Sequence, residues 1–195
     1  MIFNILLENI ERYIKLDNKE REFLLSLLSQ NKFRKKQQLL TPGMLCSSKY
    51  FVVKGCLKRS YINTEGKERV FEFCFENQWI SDIQSFWKGS QSIFNIEAIE
   101  DTEVIELKRT SIETLLSSIP KFERYFRILS NEQIFKQERR IKQALSCSAK
   151  ERYDDFLKDY PKIELRLPQR QIASYLGVSP EFLSSLRNKK QKTKP

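Results

Sequence analysis

Near the start of the chain, apolar positions recur at helical spacing: Ile2, Leu6, Ile10 and Tyr13, then Phe23, Leu24, Leu27 and Leu28. Asp17, followed three residues on by Glu20, has the form of a capping box and predicts the start of the second helix. From about Leu39 to Leu107 the pattern changes to short β runs separated by turn residues. "YFVVKGCLKRSYI" and "KERVFEFCF" flank "NTEGK", whose Glu-Gly in a polar loop predicts a hairpin. "IFNIEAI" and "EVIEL" alternate apolar with polar, and the "EDT" between them makes another tight connection. Many short strands at close spacing predict a small antiparallel barrel or jelly roll. In the strand after the hairpin, Val70, Glu72 and Cys74 share one face, and Phe71, Phe73 and Phe75 the other. The Phe side is the expected core.

Helical spacing returns after Leu107. "TSIETLLSSIP" predicts a short helix ending before Pro120, and Lys121 to about Leu145 a long polar one. The long helix carries a thin apolar stripe, Phe122, Phe126, Leu129, Ile134, Ile141 and Leu145, broken around Gln133 and Gln137. Such a stripe either packs on its own domain or pairs with a second copy. Ser148 to Glu151 is a second capping-box pattern, followed by Tyr153, Phe156, Leu157 and Tyr160 on one face, with Pro161 ending the run. "KIELRL" reads as a short alternating strand. The expected domain boundary lies near Ser146, with 1–145 and 146–195 on its two sides.

Composition narrows the function classes. The 195 residues carry a net charge of +10 with a pI near 9.4, which favours an acidic partner, and nucleic acid or an anionic membrane would both fit. No apolar run is long enough to span a membrane, and the N-terminus lacks a basic leader, so a cytoplasmic protein is expected. Cys46, Cys56, Cys74 and Cys147 form no CxxC pair and read as buried or half-buried thiols. There is no histidine, which removes the commonest general base and metal ligand. No Gly-rich phosphate loop or activated nucleophile is visible either. An enzyme is not expected, nor is any catalytic residue, metal site or cofactor.

The stretch "RLPQRQIASYLGVSPEFLSSLRNKKQKTKP" is the most specific signal. Pro168 suits the first turn of a helix, which would carry Ile172, Ala173 and Leu176 inward. Gly177 stands where a helix end needs positive φ, with Val178 plugging the turn. Ser179 is a good N-cap and Pro180 a good first residue for a second helix, with Leu183 and Leu186 as its inner face. Glu181, Ser184, Ser185, Asn188 and Lys189 are left outside. Two helices joined by so short a turn match a helix-turn-helix, and the lysines that follow support contact with DNA.

With "LPQRQIASYLGVSPEFLSSLR" at one end and "TPG…YFVVKGCLKRSYINTEGKERVFEF" in the roll, almost the whole chain resembles the Crp/Fnr transcriptional regulators. The resemblance implies an α+β fold: an antiparallel, jelly-roll-like β-roll with flanking helices, a long dimerisation helix and a small C-terminal helix-turn-helix domain. It implies a homodimer joined through Phe126, Leu129, Ile134 and Ile141, and double-stranded DNA read in successive major grooves about 34–36 Å apart. RNA polymerase is the expected protein partner, and no membrane is involved. Arg170 and Ser179 match positions that touch phosphates, Arg187 and Lys189 are placed to do the same, and Glu181, Ser184 and Ser185 project toward base edges. The other class of function is a ligand-binding or protein-interaction module whose helix-turn-helix no longer reads DNA.

Departures from the family pattern carry as much information. Cyclic-nucleotide-binding members have a Gly-Glu pair for the ribose and an Arg-Ser pair for the phosphate. Here Ser81-Asp82 and Ser92-Ile93 stand in those places, so the charge-assisted grip on a phosphate is missing. Lys88 nearby is a flexible substitute. Cyclic AMP is not the expected effector. The N-terminal cysteine cluster of the iron–sulfur members and the histidine of the haem members are absent too. Phe86, Trp87 and Phe94 either line an apolar pocket or pack ordinarily. In the recognition helix, Pro180, Glu181 and Ser185 replace an Arg-Glu-Arg pattern, so the half-site should differ, and wing strands after that helix look absent.

Overall fold

A computed structural model describes residues 2–161 and 163–192, with side chains in the last helix as far as Asn188. Two compact units emerge: residues 1–61 with 72–132, and residues 62–71 with 133–195.

The first unit is a β-roll between helices. α1 (Phe3–Glu11) and α2 (Asn18–Ser26) lead in, and Asp17 and Glu20 exchange both hydrogen bonds of the expected capping box. Eight strands follow: β1 (Leu28–Phe33), β2 (Gln38–Leu40), β3 (Ser48–Lys54), β4 (Leu57–Ile62), β5 (Glu68–Cys74), β6 (Trp79–Ile80), β7 (Asn95–Ala98) and β8 (Thr102–Lys108). They form two four-stranded sheets, ordered β1-β8-β3-β6 and β2-β7-β4-β5. The β1–β8, β3–β8, β3–β6, β2–β7 and β4–β7 pairs are antiparallel, as the short alternating runs require. α3 (Ile83–Lys88) interrupts the roll, and α4 (Arg109–Ser118) leads to α5 (Lys121–Ser146). Phe51, Leu57, Ile96 and Ile105 are fully buried between the sheets, and apolar area removed from water is what holds them.

Polar groups inside this unit are matched. The Tyr125 hydroxyl donates to Asn9 Oδ1 (2.9 Å) and accepts from Trp79 Nε1 (2.8 Å), while Asn9 Nδ2 donates to the Asn77 carbonyl (3.2 Å). One chain of bonds thus ties α1, β6 and α5 together. Burial pushes the Tyr125 hydroxyl well above its ordinary pKa, so it stays a donor.

Four local expectations are revised. Leu28 does not extend α2 but opens β1, paired with Leu107. β1 is polar and half exposed, so its strand character comes from β8 and not from its own pattern. α3 lies in a segment where no helix was expected. Within "KIELRL", Ile163–Leu165 form a 3-10 turn and not a strand, because Leu167 must come back over Ile163, with Leu165 turned out to solvent. The two faces of β5 are also less distinct than expected. Phe73 and Phe75 are buried, yet Cys74, on the opposite face, is the one that joins the main apolar cluster. Cys46, Cys56 and Cys74 are buried and Cys147 half-buried, all as free thiols.

The second unit holds the later half of α5, then α6 (Ala149–Asp159), the 3-10 turn, α7 (Gln169–Leu176) and α8 (Pro180–Lys192). Ser148 and Glu151 complete the second capping box. The tip of the β4–β5 hairpin belongs here too. Asn63 Oδ1 accepts from the amides of Glu65 and Lys67, and Gly66 takes the positive φ of 73° that the turn needs. The Ser174 hydroxyl on α7 accepts from the Val70 amide (3.0 Å) and donates to the Glu68 carbonyl (2.9 Å). Arg140 on α5 donates to the carbonyls of Phe71 and Tyr175 and lies 4.3 Å over the Tyr175 ring.

Candidate functional site

α7 and α8 make the helix pair that the sequence predicted. α7 begins one residue after Pro168, which sits in the capping position with extended ψ. Its end is set by Gly177 at φ 71° and ψ 33°, with the Val178 amide donating to Ala173 O (3.0 Å). The Ser179 hydroxyl accepts from the Phe182 amide (3.1 Å), so α8 starts with its cap in place. Ile172, Ala173, Leu176 and Leu183 are buried, and the small Ala173 leaves room for close approach.

The expected DNA-facing residues divide unevenly. Arg170, Ser179, Glu181 and Ser185 are exposed and Ser184 is half-buried. Glu181 lies below the ordinary carboxylate range, held there by its own backbone amide and by the Ser179 hydroxyl, so it stays ionised as an acceptor. Arg187 is different. Its Nε is 2.9 Å from Glu164 Oε1, the oxygen that also accepts from the Tyr153 hydroxyl. Burial and that carboxylate push the Tyr153 hydroxyl up. Arg187 therefore has an intramolecular partner that competes with any phosphate. The Lys189 side chain lies outside the described residues. Phe182, 47% exposed beside Glu181, was not foreseen, since its helical position did not distinguish it from a core residue.

The segment that stands where the family's nucleotide cassette would be is closed on itself. One oxygen of Asp82 accepts from the amides of Gln84 (3.1 Å) and Ser85 (3.3 Å), capping α3, while the other accepts from the Ser92 hydroxyl (2.7 Å). Ser92 Oγ also accepts from the Phe94 amide (3.0 Å). Ser81, Asp82 and Ser92 are thus brought together and buried, whereas Ile93 is 69% exposed and takes no part. Phe86 is fully buried packing, Trp87 is half exposed, and Phe94 lies against Tyr61.

The apolar stripe of α5 splits in the middle. Phe122 is buried, and Phe126 and Leu129 pack against the main apolar cluster. Phe126 meets Trp79 edge to face at 6.5 Å. Beyond them Ile134, Phe135, Ile141 and Leu145 are 53–81% exposed. Ile134, Ile141 and Leu145 are seven and four residues apart, on one face. Among the described residues no helix is long and apolar enough to cross a membrane.

Residues 30–118 match the cyclic nucleotide-binding domain family. No curated protein matches the chain in sequence. Among solved structures, FixK2 from Bradyrhizobium japonicum is 20% identical, with 85% of each chain covered and a TM-score of 0.75. The c-di-GMP-responsive global regulator CLP of Xanthomonas campestris is 15% identical, covering 90% of this chain and 92% of its own, at a TM-score of 0.72. A protein of Eubacterium rectale assigned to the Crp/Fnr family of transcriptional regulators is 20% identical, covering 90% of this chain and 84% of its own, at 0.71. At such identities the likeness establishes the fold. The chain has the Crp/Fnr fold, with a cyclic nucleotide-binding-type roll followed by a helix-turn-helix.

Proposed function

We propose that this chain is a homodimeric, DNA-binding transcription regulator of the Crp/Fnr type that does not respond to cyclic AMP. Residues 1–145, including the dimerisation helix from about 121, serve as the sensor, and 146–195 read DNA. The observation that carries the reading is the α7–Gly177–α8 pair, capped and packed as a helix-turn-helix with a polar outer face on α8. Arg170, Ser179 and Lys189 meet phosphates; Glu181, Ser184 and Ser185 face base edges, with Glu181 accepting from a cytosine amino group. Arg187 reaches a phosphate only by leaving Glu164. The exposed Ile134, Ile141 and Leu145 supply the seam between two copies, flanked by Phe126 and Leu129.

The absence of a cyclic-nucleotide response rests on Asp82 and Ser92. The side chains that replace the ribose and phosphate ligands bond each other, and the only carboxylate of the segment has both oxygens in use. A nucleotide would have to break these bonds, and the segment itself offers no arginine for its phosphate.

Binding to random duplex DNA across a salt series tests the main reading. The expected result is an affinity that falls linearly in log–log form, because phosphate neutralisation releases counterions. A chain with no salt-dependent affinity for duplex DNA would instead be an effector-binding or protein-interaction module.

A further inference from the structure

Lys49 of β3 carries a charge that, among the described residues, no carboxylate balances. Its Nζ donates to Ser81 Oγ at 3.3 Å and lies 4.7 Å over the Phe86 ring and 5.7 Å over the Trp87 ring. Among the described residues no carboxylate lies within ion-pair range of it. Arg59 of β4 approaches the same residue, donating from Nη1 to the Ser81 carbonyl at 2.9 Å. The two cations differ in one respect. Arg59 has Glu72 Oε1 2.9 Å from its Nε, close enough for the charges to pair although the N–H is not aimed at that oxygen. Lys49 has no such partner.

A half-buried ammonium without a counterion is costly to keep. The cost is visible in its acidity: burial, and then the positive charge of Arg59, bring Lys49 down to about 8, with only the Cys46 thiol acting the other way. The rings of Phe86 and Trp87 return part of that cost. Three donors with one used and a half-exposed Trp87 beside them describe an incomplete site, and a small anion completes it.

We infer that Lys49 is the anchor of an effector site for a small organic anion, a carboxylate or a phosphate monoester, whose apolar body lies against Trp87. Ser81 supports the charged end and Arg59 adds field without giving up Glu72. The anchor projects from a strand, while Ser81 and Trp87 come from the 81–93 segment where cyclic-nucleotide-binding relatives hold a phosphate; the bond that closes that segment joins Asp82 to Ser92 and uses neither Lys49 nor Ser81 Oγ. The inference names the class of effector, and rests on the regulator reading for that role alone; the site itself does not.

The test is calorimetric titration of the full chain, free of DNA, with benzoate, phenyl phosphate and neutral benzamide. At least one of the two anions is expected to bind in the millimolar range or tighter, and benzamide at least tenfold more weakly. The anion that binds identifies the charged group. Lys49→Met should weaken that anion at least tenfold, Lys49→Arg should retain it, and Lys49→Met should melt no lower than wild type, since it removes an unpaired charge. The inference is overturned if neither anion binds, if benzamide binds equally well, or if Lys49→Met keeps the affinity. The benzamide comparison needs no variant and stands even if Lys49→Met folds poorly. Loss of DNA binding in other experiments would leave these results untouched, and their failure would leave the DNA reading untouched.

Discussion

The two halves of α5 are built from similar residues and do opposite things. Phe122, Tyr125, Phe126 and Leu129 spend their apolar area on the roll, where Tyr125 also closes a buried hydrogen-bond chain. Ile134, Phe135, Ile141 and Leu145 leave theirs in water. The polar side of the later half is nonetheless busy, with Arg140 holding two carbonyls and a tyrosine ring. A hydrophobic stripe on a helix is thus two statements that periodicity cannot separate. One half is core already, and the other is apolar surface in want of a partner.

The contrast can be broken most directly at Phe122. Phe122→Ala empties a fully buried site and should cost about 3–5 kcal/mol, read as an earlier urea transition of Trp79 fluorescence. Equal destabilisation by Ile141→Ala at a concentration where the chain is monomeric would erase the distinction. Next in size is the proposed seam between two copies. Ile134→Asp and Ile141→Asp should each weaken self-association by about 1.5–3 kcal/mol, seen as monomer in sedimentation, while the Trp79 transition of the monomer stays in place. Tyr125→Phe probes the polar side of the early half. It strands Asn9 Oδ1 and Trp79 Nε1 in a buried setting and should cost about 1–3 kcal/mol by the same urea assay. The smallest effect belongs to Arg140→Met. Losing its hydrogen bonds and ring contact should cost about 1–2 kcal/mol, read as faster amide exchange in residues 62–71 and 169–176 with no change around Trp79.

What the sequence showed and what it hid follow one division. Asp17–Glu20, Ser148–Glu151, Asn63 to Lys67 and Gly177 were readable because each is settled by partners a few residues away. β1 was missed because LSQNKF becomes a strand only when β8 lies beside it. The 3-10 turn at Ile163 was missed because six alternating residues fit either geometry until a neighbour chooses. At the candidate sites, Ser81, Asp82 and Ser92 were legible as substitutions, but not the bond between Asp82 and Ser92. Lys49 and Glu164 carried no local signal at all. Each matters through a residue distant in sequence: Lys49 meets Ser81, and Glu164 meets Arg187.

The hydroxyl of Ser174 has a further consequence, for solubility. β5 is the last strand of its sheet, and an open last strand offers free amides and carbonyls on which another chain can build. One small side chain occupies a donor and an acceptor of that strand at once, at Val70 and Glu68. The first helix of the helix-turn-helix thereby shields a sticky β-edge, so any rearrangement that frees α7 also uncovers a template for fibril-like pairing.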